Sequence, residues 1–267
     1  MSTSRKSVGR WLSRHAVQLY AVLAFAYLFV PVAYTFIYSF NDSGKSNLNW
    51  QGFTTEKWAN PCGAPDVCNA LENSVKIGVV ATVIATALGT MAAFALARHR
   101  FRGRTVTNLL IFLPMATPEV VLGASLLALF LNVGAPLGTG TIIIAHVMFT
   151  ISFVIVTVKA RLASLDSRLE EAAMDLYASE FQTFRRITLP LAAPGIFAGA
   201  LLAFALSFDD FIITNFNSGA VNTFPKFVWV SALRGIPAQA NVIASAMFFI
   251  ALAAVLVAQV VSNRRRA

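Results

Sequence analysis

Six intervals of the chain, at residues 16–40, 77–97, 108–131, 141–158, 191–216 and 242–262, are long, apolar and almost free of charge. An α-helix rises about 1.5 Å per residue and the hydrocarbon layer of a bilayer is about 30 Å thick, so about 20 such residues cross it. The intervals predict an all-α polytopic membrane protein with six transmembrane helices. Composition agrees: 57% of the residues are hydrophobic, 12% are charged and the mean hydropathy is +0.68, which leaves little for a soluble core.

A net charge of +9 raises the question of nucleic acid. The cations sit at the ends of the apolar runs rather than in stripes with aromatics, which argues for membrane topology instead. With the N-terminus inside, 16 Lys and Arg fall on the cytoplasmic side and 5 on the other, so both termini are expected in the cytoplasm. The layout is then a cytoplasmic segment at 1–15, one transmembrane domain at 16–262 and a cytoplasmic tail at 263–267. Within that domain, 41–74 is extracytoplasmic and 159–190 cytoplasmic. The first run, at about 25 residues, is longer than the apolar stretch of a signal peptide, and no small-residue cleavage site follows it. It is expected to stay in place, kinked at Pro31.

The external loop holds both cysteines. Cys62 and Cys68 enclose Gly and Pro, and could close a small disulfide ring outside the membrane. Two thiols without a histidine argue against a metal site there. Gly44-Lys45-Ser46 resembles the end of a phosphate-binding loop, but Ser39 stands where the required glycine would be. No other stretch has that signature, so any ATPase must be a separate chain.

Four residues inside the runs carry charge or polarity of interest. Glu119 follows Pro114 and Pro118; it is either a pathway residue or an interfacial one near the turn of a broken helix. Asp209 and Asp210 lie between Phe208 and Phe211, well across the bilayer from Pro190. They are either pathway carboxylates or an acidic helix end in the external medium. His146 reads as a packed histidine, since no second ligand lies one turn away. The stretch 224–230 is apolar but too short to span, which fits a re-entrant or interfacial segment.

The longest charged interval runs from Lys159 to Pro190. Ser167 with Glu170, and Ser179 with Gln182, read as capping boxes opening two short helices. Pro190 and Pro194 fall at the mouth of the next run, where proline loses no hydrogen bond. From the residues alone this is a helix-turn-helix, or a solvated loop with two amphipathic helices.

The spacing within that interval resembles the EAA loop of binding-protein-dependent ABC transporter permeases. Glu171, Ala172, Ala173, Ile187, Leu189 and Pro190 match its pattern, and Tyr177 stands at its usual glycine. Asn73-Ser74 and the Arg98–Gly103 stretch are similar to the start of the family's core, although the arginines alone read as a topological anchor. Asn49-Trp50-Gln51-Gly52-Phe53-Thr54 resembles the spermidine/putrescine branch of the family. The resemblance implies a type I importer permease that is not itself an enzyme and has no cofactor of its own. A partner pair of cytoplasmic ATPase subunits would carry ATP and magnesium. They would dock on Glu171, Ala172, Ala173, Asp175, Tyr177, Ser179, Ile187, Leu189 and Pro190. A second permease subunit and an extracytoplasmic binding protein would complete the assembly, in contact with lipid and not with nucleic acid. Polyamines are the expected cargo, with Glu119, Asp209 and Asp210 supplying charge and Phe208 and Phe211 supplying aromatic faces. A permease for ferric iron, phosphonate or another solute is the alternative within the family. A channel or secondary transporter is the alternative outside it.

Overall fold

The computed structural model describes residues 3–44, 46–99, 101–166 and 168–264. In chain order the helices are α1 (Thr3–Tyr38), α2 (Glu56–Ala59), α3 (Val67–Arg98), α4 (Arg104–Ala116), α5 (Glu119–Asn132), α6 (Thr139–Ala163), α7 (Arg168–Asp175), α8 (Glu180–Thr183), α9 (Leu189–Asp209), α10 (Ile212–Asn217), α11 (Phe224–Arg234) and α12 (Ala238–Arg264). A π-helical turn, Phe184–Thr188, joins α8 to α9. Among the described residues five helical segments are long and apolar enough to cross a membrane, and the bent pair α4–α5 makes up to six. The Gly44-Lys45-Ser46 stretch and the Ser167 capping box include residues outside the described set.

The helices differ from the apolar intervals in ways that polarity explains. The first begins at Thr3 rather than 16 and runs through Pro31 without a break. The second begins at Val67, inside the expected loop 41–74, and its added N-terminal turns are polar, with Glu72 and Lys76 paired one turn apart. The third is broken, as α4 and α5 meet at 105°. Pro118 has no N–H to continue the ladder and holds Thr117 extended at φ −81°, ψ 132°. The fifth, expected at 191–216, also breaks, with α9 ending at Asp209 and α10 beginning at Ile212.

The chain forms two compact units, one of Met1–Cys68 with Val230–Ala267 and one of Asn69–Trp229. In the first, α1 packs along α12, and Phe36 meets Phe249 edge-on with ring centres 5.2 Å apart. The loop after α1 folds back on the helix end. Asn41 donates to Asn47 Oδ1 (2.6 Å) and to the Asn49 carbonyl (2.7 Å), and accepts from the Gln51 amide (2.7 Å). Phe40 stacks between Phe53 and Trp58. Cys62 and Cys68 are joined by a disulfide, with Cα atoms 5.4 Å apart. Mass spectrometry of unreduced protein is expected to recover the linked peptide, and two free thiols would contradict it.

In the second unit α6 and α9 make the most extensive helix pair. Lipid offers no hydrophobic drive to bring two apolar helices together, so close approach of backbones has to supply the attraction. Gly195, Gly199 and Ala203, each four residues apart, form the buried seam of α9. A Cβ at Gly199 would lie 3.5 Å from Val154 Cα, and one at Gly195 would overlap the Arg161 side chain. Arg161 also donates from Nε to the Leu191 carbonyl at 2.9 Å, tying the ends of the same pair. A second buried cluster gathers Leu122, Leu126, Phe130, Ala145, Phe149 and Ile213 from α5, α6 and α10.

Candidate functional site

Two helix breaks meet in the second unit. The α4–α5 break presents Glu119 at the first residue of α5, and the α9–α10 break presents Asp209 and Asp210. The helices carrying them pack closely, since a Cβ at Gly123 on α5 would touch Phe216 of α10 at 3.0 Å. Glu119 lies within Coulombic range of both aspartates. Glu119 and Asp209 are exposed.

Asp210, expected beside Asp209 either in the pathway or at an exposed helix end, is buried within the protein. Its carboxylate is 2% exposed and its oxygens are taken. Oδ1 accepts the Ile213 amide at 3.2 Å and Oδ2 the Thr214 amide at 2.7 Å, so Asp210 caps α10. Its other neighbour is His146 of α6, 1% exposed, with Nε2 3.2 Å from Asp210 Oδ2 and 2.9 Å from Thr214 Oγ1. The Nδ1 atom of the same ring lies 2.7 Å from Ser207 Oγ. One imidazole thus holds α9, the break and α10 together. The packed reading of His146 holds, but its partners are 61, 64 and 68 residues away and no local spacing could have named them.

The aromatics are split between scaffold and site. Phe208, half-buried, stacks on Phe204 at 5.9 Å. Phe211, half-buried, lies against Trp229 at 4.9 Å; Trp229 is exposed and was not singled out from sequence. Past α10, Lys226 donates to Ser218 Oγ (2.7 Å) and to the Gly219 (3.1 Å) and Val221 (3.2 Å) carbonyls, closing the turn. Burial lowers the pKa of its ammonium from the ordinary value.

The charged interval before Pro190 has the expected form of two short helices. Ser179 accepts from the Gln182 amide and donates its own amide to Gln182 Oε1, a reciprocal capping box. Tyr177 adopts φ +63°, the conformation its glycine-like position requires. Ala178 N–H bonds the Ala173 carbonyl (3.1 Å) and Tyr177 N–H the Met174 carbonyl (3.0 Å), the two bonds of a Schellman termination. Ala173 is buried beneath α7, and Ile187 and Leu189 are half-buried. Glu171, Ala172, Asp175, Ser179 and Pro190 are exposed, and Tyr177 is 98% exposed. Around that ring Leu169, Met174, Leu176 and Phe181 are also exposed, so the turn carries an apolar face flanked by acids.

Residues 85–267 match the family described as binding-protein-dependent transport system inner membrane component. The chain is 36% identical over 240 residues to the spermidine/putrescine transport system permease protein PotC of Escherichia coli (strain K12), covering 90% of each chain. It is 39% identical over 232 residues to the putrescine transport system permease protein PotI of the same organism, covering 84% of this chain and 82% of that protein. Among solved structures it is similar to a bacterial ABC transporter involved in the import of the acidic polysaccharide alginate, with a TM-score of 0.66, 17% identity and 98% of both chains covered. It is also similar to the MetNI methionine ABC transporter in an inward-facing conformation, with a TM-score of 0.59, 16% identity, and 74% of this chain and 93% of that chain covered. Such identities speak to the fold alone. The chain therefore belongs to the binding-protein-dependent inner membrane component family, as a multi-pass bacterial membrane permease and not a catalytic enzyme.

Proposed function

We propose that this permease forms half of the translocation pathway of an ABC importer for polyamines, with spermidine and putrescine as the cargo. The observation that carries the substrate reading is the meeting of two helix breaks at the exposed carboxylates Glu119 and Asp209. Broken helices within the membrane are where transporters place polar contacts to cargo. A polyamine carries two or three positive charges, and stripping each of water costs several kcal/mol unless an anion replaces the lost solvation. Phe211 and Trp229 add ring faces beside that charge. The names of the relatives support the same cargo.

The energy for transport enters through the loop from Arg168 to Pro190. Its exposed apolar face and the exposed carboxylate of Glu171 suit docking on a partner ATPase, which carries the ATP and magnesium. The cation asymmetry supports a cytoplasmic position for this loop and for both termini. A partner permease supplies the other half of the passage, and a binding protein delivers the cargo from outside. Closure of the ATPase pair then biases the helices between inward and outward openings.

The test is ATP hydrolysis by the complete complex in lipid, measured with the binding protein and spermidine, putrescine, ferric ion or a phosphonate in turn. Stimulation by a polyamine is expected. Stimulation by iron or phosphonate and by neither polyamine would overturn the cargo assignment.

A further inference from the structure

The coupling reading above needs a path by which movement of α7 reaches the membrane helices. Eight residues of α7 and four of α8 are far too short to be stable helices on their own, so tertiary ties must make the loop rigid. Buried contact is scarce there: α7 buries only Ala173. What holds its first turn is Glu170. Oε1 of Glu170 accepts from Arg98 Nη2 at 2.5 Å and from Thr188 Oγ1 at 2.6 Å. Arg98 Nη2 also reaches Thr188 Oγ1 at 3.2 Å, closing a triangle. The three residues come from the last residue of α3, the first turn of α7 and the π-helical turn that leads into α9.

The second arm of the loop is tied to the same helix. Phe184, which opens the π turn, meets Phe94 of α3 edge-on with ring centres 5.2 Å apart. The end of α3 therefore grips both arms, one through a carboxylate and one through an aromatic ring. A π turn adds one residue to the helical repeat and marks positions where a helix is held out of regular geometry for use. Here the extra residue aims the Thr188 hydroxyl, buried among neighbours, at Glu170. Glu170 stands one residue before the family-like Glu171, and Arg98 belongs to a run that reads as a topological anchor.

We propose that Arg98, Glu170 and Thr188 form a clamp that transmits movement of the coupling loop to α3 and α9, with Arg98 as its positioning residue. The proposal rests on the loop being the ATPase dock. The clamp side chains are 39% exposed at Arg98 and 32% at Glu170, so the pair is screened by solvent and adds little to folding. Its contribution is directional: while the clamp is closed, a shift of α7 pulls on the two membrane helices. The cleft lined by Phe94, Arg98, Leu162, Asp166, Glu170 and Thr188 leaves the guanidinium room to follow. Asp166 is the other charge at this cleft; it caps the Arg168 amide at 3.0 Å.

The experiment uses the full complex with ATPase and binding protein in lipid. Arg98→Ala, Glu170→Gln, Arg98→Lys and the exchange Arg98→Glu with Glu170→Arg are compared for three readouts. These are retention of the ATPase on purification, basal ATP hydrolysis, and its stimulation by cargo-loaded binding protein. Arg98→Ala and Glu170→Gln are expected to keep the ATPase and basal hydrolysis but lose stimulation by about fivefold or more, the low end of ordinary coupling between sites. Arg98→Lys and the exchange are expected to recover part of it, which a merely structural loss would not show. Full stimulation in Arg98→Ala with the ATPase bound would overturn the clamp. Failure of the dock itself is seen separately, with the clamp intact: Glu171→Cys that forms no cross-link to the ATPase would remove the coupling reading.

Discussion

Polyamine uptake is expected to fall by about 100-fold when Glu119→Gln and Asp209→Asn are combined, with insertion and assembly unchanged. A lone charge within a membrane costs about 2.5–3.5 kcal/mol on insertion scales, and each 1.4 kcal/mol is a factor of ten. Losing the anions that compensate even one ammonium therefore reaches that magnitude. Both side chains are exposed in this chain, and among the described residues neither takes part in a hydrogen bond or ion pair. Neutralising them leaves no buried group stranded. Uptake in proteoliposomes is the measurement, with recovery of the intact complex as the control. Parental uptake by the assembled double variant would reduce the two carboxylates to ordinary surface groups.

The neighbouring Asp210 is expected to behave in the opposite way. Asp210→Ala strands the Ile213 and Thr214 amides and leaves His146 Nε2 without its carboxylate, all in a buried site. Breaking one partner out of such a network costs about 3–5 kcal/mol. His146→Ala removes the same link from the other side and opens a cavity, so a similar loss is expected. Purified protein should show a lowered unfolding temperature and poor recovery for both, while Asp209→Asn stays close to the parent. Equal stability of Asp209→Asn and Asp210→Ala would refute the division of labour between these adjacent residues.

That division is where sequence reading reached its limit. Hydropathy indicated the spans because it depends on length and composition alone. The spacing of Glu171, Ala172, Ala173, Ile187, Leu189 and Pro190 identified the family because it is local. Side-chain direction at a helix break is not local. Asp209 and Asp210 are indistinguishable as letters, and only the turn after α9 sends one outward and the other toward α6. The break at Pro118 was visible as two prolines and a carboxylate, whereas the break at Asp210 has no proline to announce it. Arg98 was read as an anchor because its partners lie 72 and 90 residues away. The Gly195, Gly199 and Ala203 seam was available as spacing, but small residues are common in membrane helices and only the neighbour at Arg161 and Val154 gives them meaning.

If the loop docks as proposed, Tyr177 would bear on fidelity among transport systems. A side chain in left-handed geometry costs about 1–2 kcal/mol that glycine would not, and this one is spent on a ring that touches almost nothing in the isolated chain. A glycine at that turn would let the loop sit against any ATPase groove of suitable width. On the proposed docking, a bare tyrosine would admit only a groove with a hollow to receive it, and would clash with the rest. In a bacterium that runs several importers of this family side by side, such a turn would keep this permease from exchanging motors with the others.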